Sequence, residues 1–322
     1  MASDIAASTK GRPAAIVGAG GFVGRHLAPH LASLGLRVYG IDAVVPAEAV
    51  PGVSGMFEAD ALDESALARC LDATRPDYVF HLAAERPAAA TARSLGANAA
   101  MTYNVLRCAS RLGSLKAVVV AGSAAEYGRA SADPGSIDEG AELHPVSLYG
   151  VSKVGQWHTA RWLAVALGLP VVYTRTFNLV GPGEPTSLVS AALAQQLAQI
   201  RSGSQPGPLV VRSPHHVRDF LDVRDAVRAY WLCAHGATPA CPVVNVCSGW
   251  GTSIRDVASE LIAASGAPVC TREKPSEAPD CEVPWQVGSH AALTALTGWR
   301  PTIALADSLK AVLQEQLIRP NA

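Results

Sequence analysis

Along the chain, short runs of apolar and β-branched residues alternate with longer stretches whose apolar positions recur every three or four residues. The short runs are Ala14–Val17, Arg37–Ile41, Met56–Glu58, Tyr78–His81 and Ala117–Val120. Unbroken apolar runs of four or five, rather than strict in-out alternation, mark strands buried on both faces. Helical spacing runs between them from about Gly21 to Ser33, with Phe22, His26 and Leu27 on neighbouring turns, and near 64–72 and 94–111. This alternation predicts an α/β fold, a doubly wound parallel sheet with helices on both faces. Beyond Val120 the chain is richer in Pro and Gly but keeps alternating. A helix over Leu148–Leu167 feeds a strand at Val171–Tyr173. A helix near 187–200 carries Val189, Leu193, Leu197 and Ile200 on one face. Strands at Leu209–Val211 and Val243–Val246 follow, with helices near 222–235, 253–264 and 305–317.

The pattern divides the chain into a leader over 1–12, a sheet-bearing domain over 13–178, and a smaller interleaved lobe from 179–215 and 248–322. Segments near 216–247 are expected to return to the first domain. The leader has no apolar core of signal-peptide length, so it reads as a frayed end.

Composition narrows the picture. Apolar residues make up 49% of the 322, charged residues 16%, and the net charge is −1. A chain this apolar can bury a core and is not disordered. It has no basic stripe of the kind a nucleic-acid binder needs. No stretch reaches the roughly 18–20 apolar residues of a membrane span; the longest uncharged apolar run, Trp162–Thr174, is broken by Gly168 and Pro170. The seven cysteines (70, 108, 233, 241, 247, 270, 281) form no CxxC pair and no Cys/His metal spacing. They read as reduced thiols packed as small hydrophobes, which points to a cytoplasmic protein without a metal site.

The first candidate chemistry lies directly after the first strand. Gly18-Ala19-Gly20-Gly21-Phe22-Val23-Gly24 ends the strand in a tight turn and opens a helix. Bare backbone lets a pyrophosphate approach, and the helix N-terminus offers amides and a positive dipole end. Asp42 ends the second strand, eighteen residues past Gly24. There a carboxylate bonds the adenosine ribose hydroxyls and repels a 2′-phosphate, which favours NAD(H) and leaves NADP(H) second. Asp60 ends the third strand and is placed to face the adenine.

The second lies further on. Ser123 stands at the carboxyl end of the Ala117–Val120 strand, the edge where open α/β sheets bind ligands. Twenty-six residues later comes Tyr149-Gly150-Val151-Ser152-Lys153. Tyr and Lys four apart share a helix face. An ammonium beside a phenol favours the phenolate, so the phenol can exchange a proton with a substrate oxygen. Ser123 is placed to bond that same oxygen.

These motifs, together with His81-Leu82-Ala83-Ala84, Arg175-Thr176-Phe177-Asn178-Leu179-Val180-Gly181-Pro182-Gly183 and Val217-Arg218-Asp219-Phe220-Leu221-Asp222, resemble the extended short-chain dehydrogenase/reductase family of NAD-dependent nucleotide-sugar epimerases, dehydratases and reductases. The likeness covers nearly the whole chain and implies a Rossmann domain. It implies Ser123, Tyr149 and Lys153 as the catalytic set. It implies a dinucleotide held by Gly18, Gly21, Phe22, Val23, Gly24, Asp42, Asp60 and Ala83, with Tyr149 and Lys153 at its nicotinamide end. Asn98 matches the family's supporting helix asparagine. Asn178 and Arg218 match positions that hold the sugar nucleotide's diphosphate, with Arg212 assisting. The likeness also implies a homodimer through the helices near 94–111 and 147–168. One departure is Val17, where the family often has Thr.

The residues after Ser123 bear on the reaction. Dehydratases of the family carry an acid one or two positions after this residue; here those positions are Ala124 and Ala125, and Glu126 comes one step later. A 4,6-dehydratase is therefore not expected. Arg218–Tyr230, Asn245-Val246-Cys247-Ser248-Gly249 and Thr297-Gly298-Trp299-Arg300-Pro301 resemble the GDP-6-deoxy-D-mannose reductases. In that group an Arg-Pro-Ser-Glu corresponds to Lys274-Pro275-Ser276-Glu277, and the stretch after it is about four residues longer here. Either Lys274 takes the place of a phosphate-binding Arg or that contact is lost. The expected reaction is reduction of a nucleotide-linked 4-keto-6-deoxyhexose. An NDP-sugar 4-epimerase with tightly held NAD is the alternative, and a non-catalytic dinucleotide-binding protein stands behind both.

Overall fold

The computed structural model describes residues 9–85, 92–129, 135–266, 268–275 and 283–318. Seven strands are β1 (Pro13–Val17), β2 (Arg37–Asp42), β3 (Val53–Glu58), β4 (Tyr78–His81), β5 (Ala117–Ala121), β6 (Val171–Thr176) and β10 (Val243–Val246). They form one sheet in the order β10-β6-β5-β4-β1-β2-β3. Every pairing in it is parallel. The strand order reverses between β1 and β4, and a crevice opens there beyond the carboxyl ends, where ligands of doubly wound sheets bind.

Successive residues of a strand point to opposite faces, and the two core layers follow that alternation. Ala14, Ile16, Phe80, Val119 and Val172 join one layer; Ala15, Val17, Val79, Val118, Val120 and Val171 join the other. The helices are α1 (Phe22–Ser33), α2 (Glu64–Thr74), α3 (Ala92–Ala109), α4 (Leu148–Leu167), α5 (Val189–Ser202), α6 (Val223–Cys233), α7 (Ile254–Ser265), α8 (Ala291–Thr297) and α9 (Leu305–Ile318). Leu27 and Leu31 of α1, Tyr230 of α6 and Leu293 of α8 cover the first face. Leu67 of α2, Val105 of α3 and Leu163 of α4 cover the second.

Helix α4 carries the Tyr-Lys pair, and its ends are set locally. The Ser147 hydroxyl accepts the Gly150 amide at 3.0 Å as an N-cap. At the other end Gly168 adopts φ +64°, a left-handed C-cap that suits glycine. Its bulky residues split: Trp157 and Leu163 pack inward, while Trp162 and Val165 stay 64% and 65% exposed.

A second, smaller sheet centres on β9 (Val217–Asp222), which pairs with β7 (Asn178–Val180), β11 (Gly251–Ser253) and β13 (Trp285–Gln286). A further pair joins β8 (Leu209–Arg212) to β12 (Thr271–Lys274). Around them Leu193 and Leu197 of α5, Val257 and Leu261 of α7, and Leu309 and Leu313 of α9 build a separate core. Strand β9 faces both cores: Leu221 joins the large sheet's and Phe220 the lobe's.

Three placements depart from the sequence pattern. Within 216–247, α6 packs on the large sheet and β10 joins it, but β9, with its charged Arg218, Asp219 and Asp222, belongs to the small one. The segment holding Leu293 and Trp299 packs on the large sheet, although it lies in the stretch assigned to the lobe. Residues 9–12 of the expected frayed leader are tied down: Thr9 is buried, the Gly11 amide bonds Gly35 O at 2.8 Å, and Arg12 pairs with Asp77 at 2.7 Å. The rest of that leader, residues 1–8, lies outside the described residues.

Among the described residues no helix is long and apolar enough to cross a membrane, and no cluster of His, Cys, Asp and Glu could hold a metal. Five of the six described cysteines are buried free thiols and Cys270 is exposed; Cys281 lies outside the described residues.

Candidate active site

The turn after β1 builds the centre of the crevice. Gly18 has φ +93°, and a Cβ there would sit 2.6 Å from the Ala83 amide nitrogen. A Cβ on Gly24 would lie 2.5 Å from Gly18 O. Only glycine at both places lets α1 start directly against the turn. The helix opens at Gly21 without a side-chain cap or an acidic residue in its first turn. Its amides and dipole are thus left to a bound anion.

From this turn the crevice runs two ways. One arm, about 680 Å³, is lined by Gly18, Gly20, Asp42, Asp60, Ala83 and Met101. Asp42 accepts the Gly20 amide at 2.8 Å on one oxygen and the Ala43 amide at 2.9 Å on the other. Asp60, exposed, accepts the Leu62 amide at 2.9 Å. No Lys or Arg lines this arm among the described residues. The other arm, about 710 Å³, is lined by Phe22, Val23, Ser123, Tyr149, Lys153 and Asn178 among others. Gly18, Gly21, Leu82 and Ala84 border both arms. A two-armed cleft hinged on an anion-ready glycine turn fits a dinucleotide.

In the second arm, Ser123 caps the one-turn 3-10 helix Ala124–Glu126, its hydroxyl oxygen accepting the Ala125 amide at 3.2 Å. Glu126 closes the turn. Its Oε1 accepts the Ser123 amide at 2.8 Å and the Tyr173 hydroxyl at 2.9 Å, and its Oε2 pairs with Arg175 Nε at 2.9 Å. Burial pushes the Glu126 carboxyl up and Arg175 pulls it back. This acid is locked into structure beneath the serine.

On α4 the Lys153 ammonium is almost fully buried and donates to Ala121 O at 3.0 Å, at the end of β5. It stands 5.8 Å from the Tyr149 ring centre. Behind it Asn98 is fully buried. Its amide nitrogen donates to Ser152 Oγ at 2.9 Å and Glu85 O at 3.1 Å, and its oxygen accepts the Glu85 amide at 2.9 Å. It therefore ties α3 to α4 and to the loop after β4. His81, also fully buried, bonds Thr102 at 2.9 Å through Nε2. Burial, helped by the Lys153 charge, pushes it down to about 3, so it is neutral.

The residues expected at the substrate spread over three places. Asn178 lines the second arm and donates to Asp219 O at 3.0 Å. Arg218 is absent from the lining of either arm and donates to Val217 O at 2.9 Å. Its neighbour Asp219 is fully buried and accepts the amides of Ser248, Gly249 and Gly288 and the Ser248 hydroxyl. Arg212 and Lys274 lie opposite one another on β8 and β12. They line a shallow groove of about 350 Å³ beside Gln195, Gln196 and Gln199 of α5. Ser276 and Glu277 lie outside the described residues.

The sequence reading passed over Glu184. It follows the Gly181-Pro182-Gly183 turn, lines the second arm, and is 4% exposed. Nothing in a Gly-Pro-Gly-Glu string sets such a residue apart; its position comes from the clamping of the turn. His26 bonds Pro182 O at 2.8 Å and Glu315 accepts the Gly183 amide at 2.6 Å.

Residues 14–247 match the NAD dependent epimerase/dehydratase family. GDP-6-deoxy-D-mannose reductase of Pseudomonas aeruginosa is 33% identical over 305 residues, which span 93% of this chain and 95% of that relative. The dTDP-6-deoxy-L-talose 4-dehydrogenase (NAD(P)(+)) of Kitasatospora kifunensis is 29% identical over 311 residues, 96% of each chain. Among solved structures, RMD from Pseudomonas aeruginosa complexed with NADPH superposes with a TM-score of 0.83 at 31% identity, covering 96% of this chain and 99% of that one.

Proposed function

The chain belongs to the NAD dependent epimerase/dehydratase family, and from that premise we propose that it reduces a nucleotide-linked 4-keto-6-deoxyhexose, of the GDP-4-keto-6-deoxymannose kind, to the 4-hydroxy sugar. The coarser class stands without this step: an NAD(P)-dependent, nucleotide-sugar-modifying enzyme of the extended short-chain dehydrogenase/reductase type. One observation carries the finer reading. Ser123, Tyr149 and Lys153 line one cavity with the glycine turn, while Glu126, the nearest acid after Ser123, is held by Arg175. That set can move a hydride and a proton at a carbonyl, and the acid that follows Ser123 is tied into the turn rather than free to serve an elimination.

The glycine turn, Phe22 and Val23 hold the dinucleotide's pyrophosphate side, with Asp42, Asp60 and Ala83 along its adenosine arm. The nicotinamide supplies the hydride when bound. Tyr149 donates its phenolic proton to the C4 oxygen, Ser123 bonds the same oxygen, and Lys153, its ammonium beside the Tyr149 ring, holds the nicotinamide ribose. Asn98 steadies α4 through Ser152. Asn178 and Arg218 serve the substrate diphosphate. Helix α5 walls both the cavity, through Val189 and Ser190, and the groove of Arg212 and Lys274. Those two cations thus hold the far, nucleotide end of the substrate.

Asp42, with no Lys or Arg lining its arm among the described residues, favours NADH over NADPH. Exposed Trp162 and Val165 on α4, with Leu95 and Tyr103 on α3, are 40–65% exposed. They are the face through which two copies pair in a cytoplasmic homodimer.

The test is to supply GDP-4-keto-6-deoxymannose with NADH or NADPH and follow nicotinamide absorbance and product. Stoichiometric oxidation, a product of the GDP-rhamnose kind, and protein that purifies largely free of NAD are expected. Tightly retained NAD, no net consumption, and interconversion of two NDP-hexoses differing at C4 would replace the reductase with an epimerase.

A further inference from the structure

Among the described residues, Glu184 is the one carboxyl on the lining of the cavity that holds Ser123, Tyr149 and Lys153. Its Oε1 accepts the Ser190 hydroxyl at 2.5 Å, and the amides of Ala191 and Gly181 turn toward the carboxyl. Its Oε2 is buried without a hydrogen-bond partner among the described residues. Among the described residues no cation bonds it, in contrast to Glu126. A buried carboxyl with one open oxygen and no counter-charge is costly to ionise. Burial accordingly lifts it to about 7, where it exchanges its proton near neutrality. Its turn is held on both sides. His26 and Glu315 clamp it, and a Cβ on Gly181 would lie 2.7 Å from Val223 Cγ1.

The same cavity begins at the glycine turn and contains Tyr149, so a dinucleotide reaching that tyrosine brings its nicotinamide into the space Glu184 lines. The ring is cationic when oxidised and neutral when reduced. We propose that Glu184 senses this charge: it keeps its proton beside the reduced cofactor, releases it to solvent when the oxidised cofactor binds, and so sets the relative affinity for NAD⁺ and NADH. No electron passes through Glu184; one proton goes to water and one carboxylate faces the nicotinium. The inference rests on placing the nicotinamide in this cavity and is independent of which sugar is reduced. The other titratable or charged groups facing it are Tyr149 and Lys153 from α4, Tyr230 from α6, His26 from α1 and Glu315 from α9. They are common to the wild type and a Glu184 variant, so the comparison cancels them.

The experiment measures dissociation constants of NAD⁺ and NADH for the whole protein at pH 6 and pH 8, by titration calorimetry in two buffers of different ionisation enthalpy. In the wild type the preference for NAD⁺ over NADH should rise with pH, and NAD⁺ binding near neutrality should release protons. Glu184→Gln keeps the shape and the bond to Ser190. It should lower the NAD⁺ preference at pH 8 on the order of tenfold and abolish Glu184's share of the proton release. Ser190→Ala removes a donor to the carboxylate and should move the same transition to higher pH. If Glu184→Gln binds both forms with the wild-type ratio and proton count, Glu184 is only a cap for α5 and the inference falls. If the wild type binds neither form, the cofactor reading falls and takes this inference with it.

Discussion

Two turns beside the cleft each bury a glutamate, and they treat it in opposite ways. In the turn after β5, Glu126 meets Arg175, the Tyr173 hydroxyl and the Ser123 amide, and every polar contact serves to hold the serine in place. In the turn after β7, Glu184 accepts the Ser190 hydroxyl, and its other oxygen has no hydrogen-bond partner among the described residues. Both side chains are almost fully buried. The partner, rather than the burial, decides whether the group is fixed scaffold or an exchangeable proton.

The largest expected effect tests whether the rigid side carries the chemistry. Tyr149→Phe keeps the ring and removes the proton, and should lower kcat by a factor on the order of 10²–10⁴ with little change in nucleotide binding. Steady-state turnover near the wild-type value on a confirmed substrate would remove Tyr149 from its role.

Next, the contrast can be erased by taking the partner away. Arg175→Met leaves Glu126 buried and unpaired and should cost about 3–5 kcal/mol of stability in chemical denaturation. Adding Glu126→Gln to that variant should recover part of the loss. A single variant as stable as the wild type would mean that the ion pair does not fix the serine turn.

The pH profile of stability should separate the two acids. The Glu184 carboxyl is raised from an ordinary 4.5 to about 7 in the folded protein. A raised group of this kind contributes stability that is fully present below the unfolded value and is lost as pH rises through the folded one. Between pH 5 and pH 8.5 the wild type should therefore lose, relative to Glu184→Gln, on the order of 3 kcal/mol. Parallel Tm-against-pH curves for the two proteins would show that the Glu184 proton is not held as described.

The smallest effect concerns a third acid, the partly exposed Asp42, whose oxygens are each bonded to one amide. Asp42→Asn should narrow the preference for NADH over NADPH on the order of tenfold, about 1.4 kcal/mol. A wild-type kcat/KM higher with NADPH would refute the preference itself.

The large sheet was legible because its signals are local and dense. Buried strands such as Val118-Val119-Val120 show as unbroken apolar runs, and the glycine turn shows as Gly18, Gly21 and Gly24. The smaller sheet was not. Strands β7, β11 and β13 have two or three residues each, and β12 is Thr-Arg-Glu-Lys, exposed throughout. Segments this short and polar are strands only because β8 and β9 supply partners. For the same reason chain likeness set Arg218 beside Arg212 and Lys274 at the substrate, while the pairing of β8 with β12 puts only Arg212 and Lys274 in one groove and Arg218 lies apart on β9.

What the chain determines by itself is what backbone chemistry dictates within a few residues. It sets that the tight turn after the first strand needs glycine, where Ser147 and Gly168 start and stop α4, and that Tyr149 and Lys153 share a helix face. Tertiary structure alone decided the charge states around the cleft. A carboxyl's proton depends on what is packed against it, and Arg175 bonded to Glu126 and, among the described residues, no cation bonded to Glu184 are facts of packing between elements far apart in sequence. Coulomb and desolvation energies are set by distance and surroundings in space, and residue order specifies neither until the strands have met.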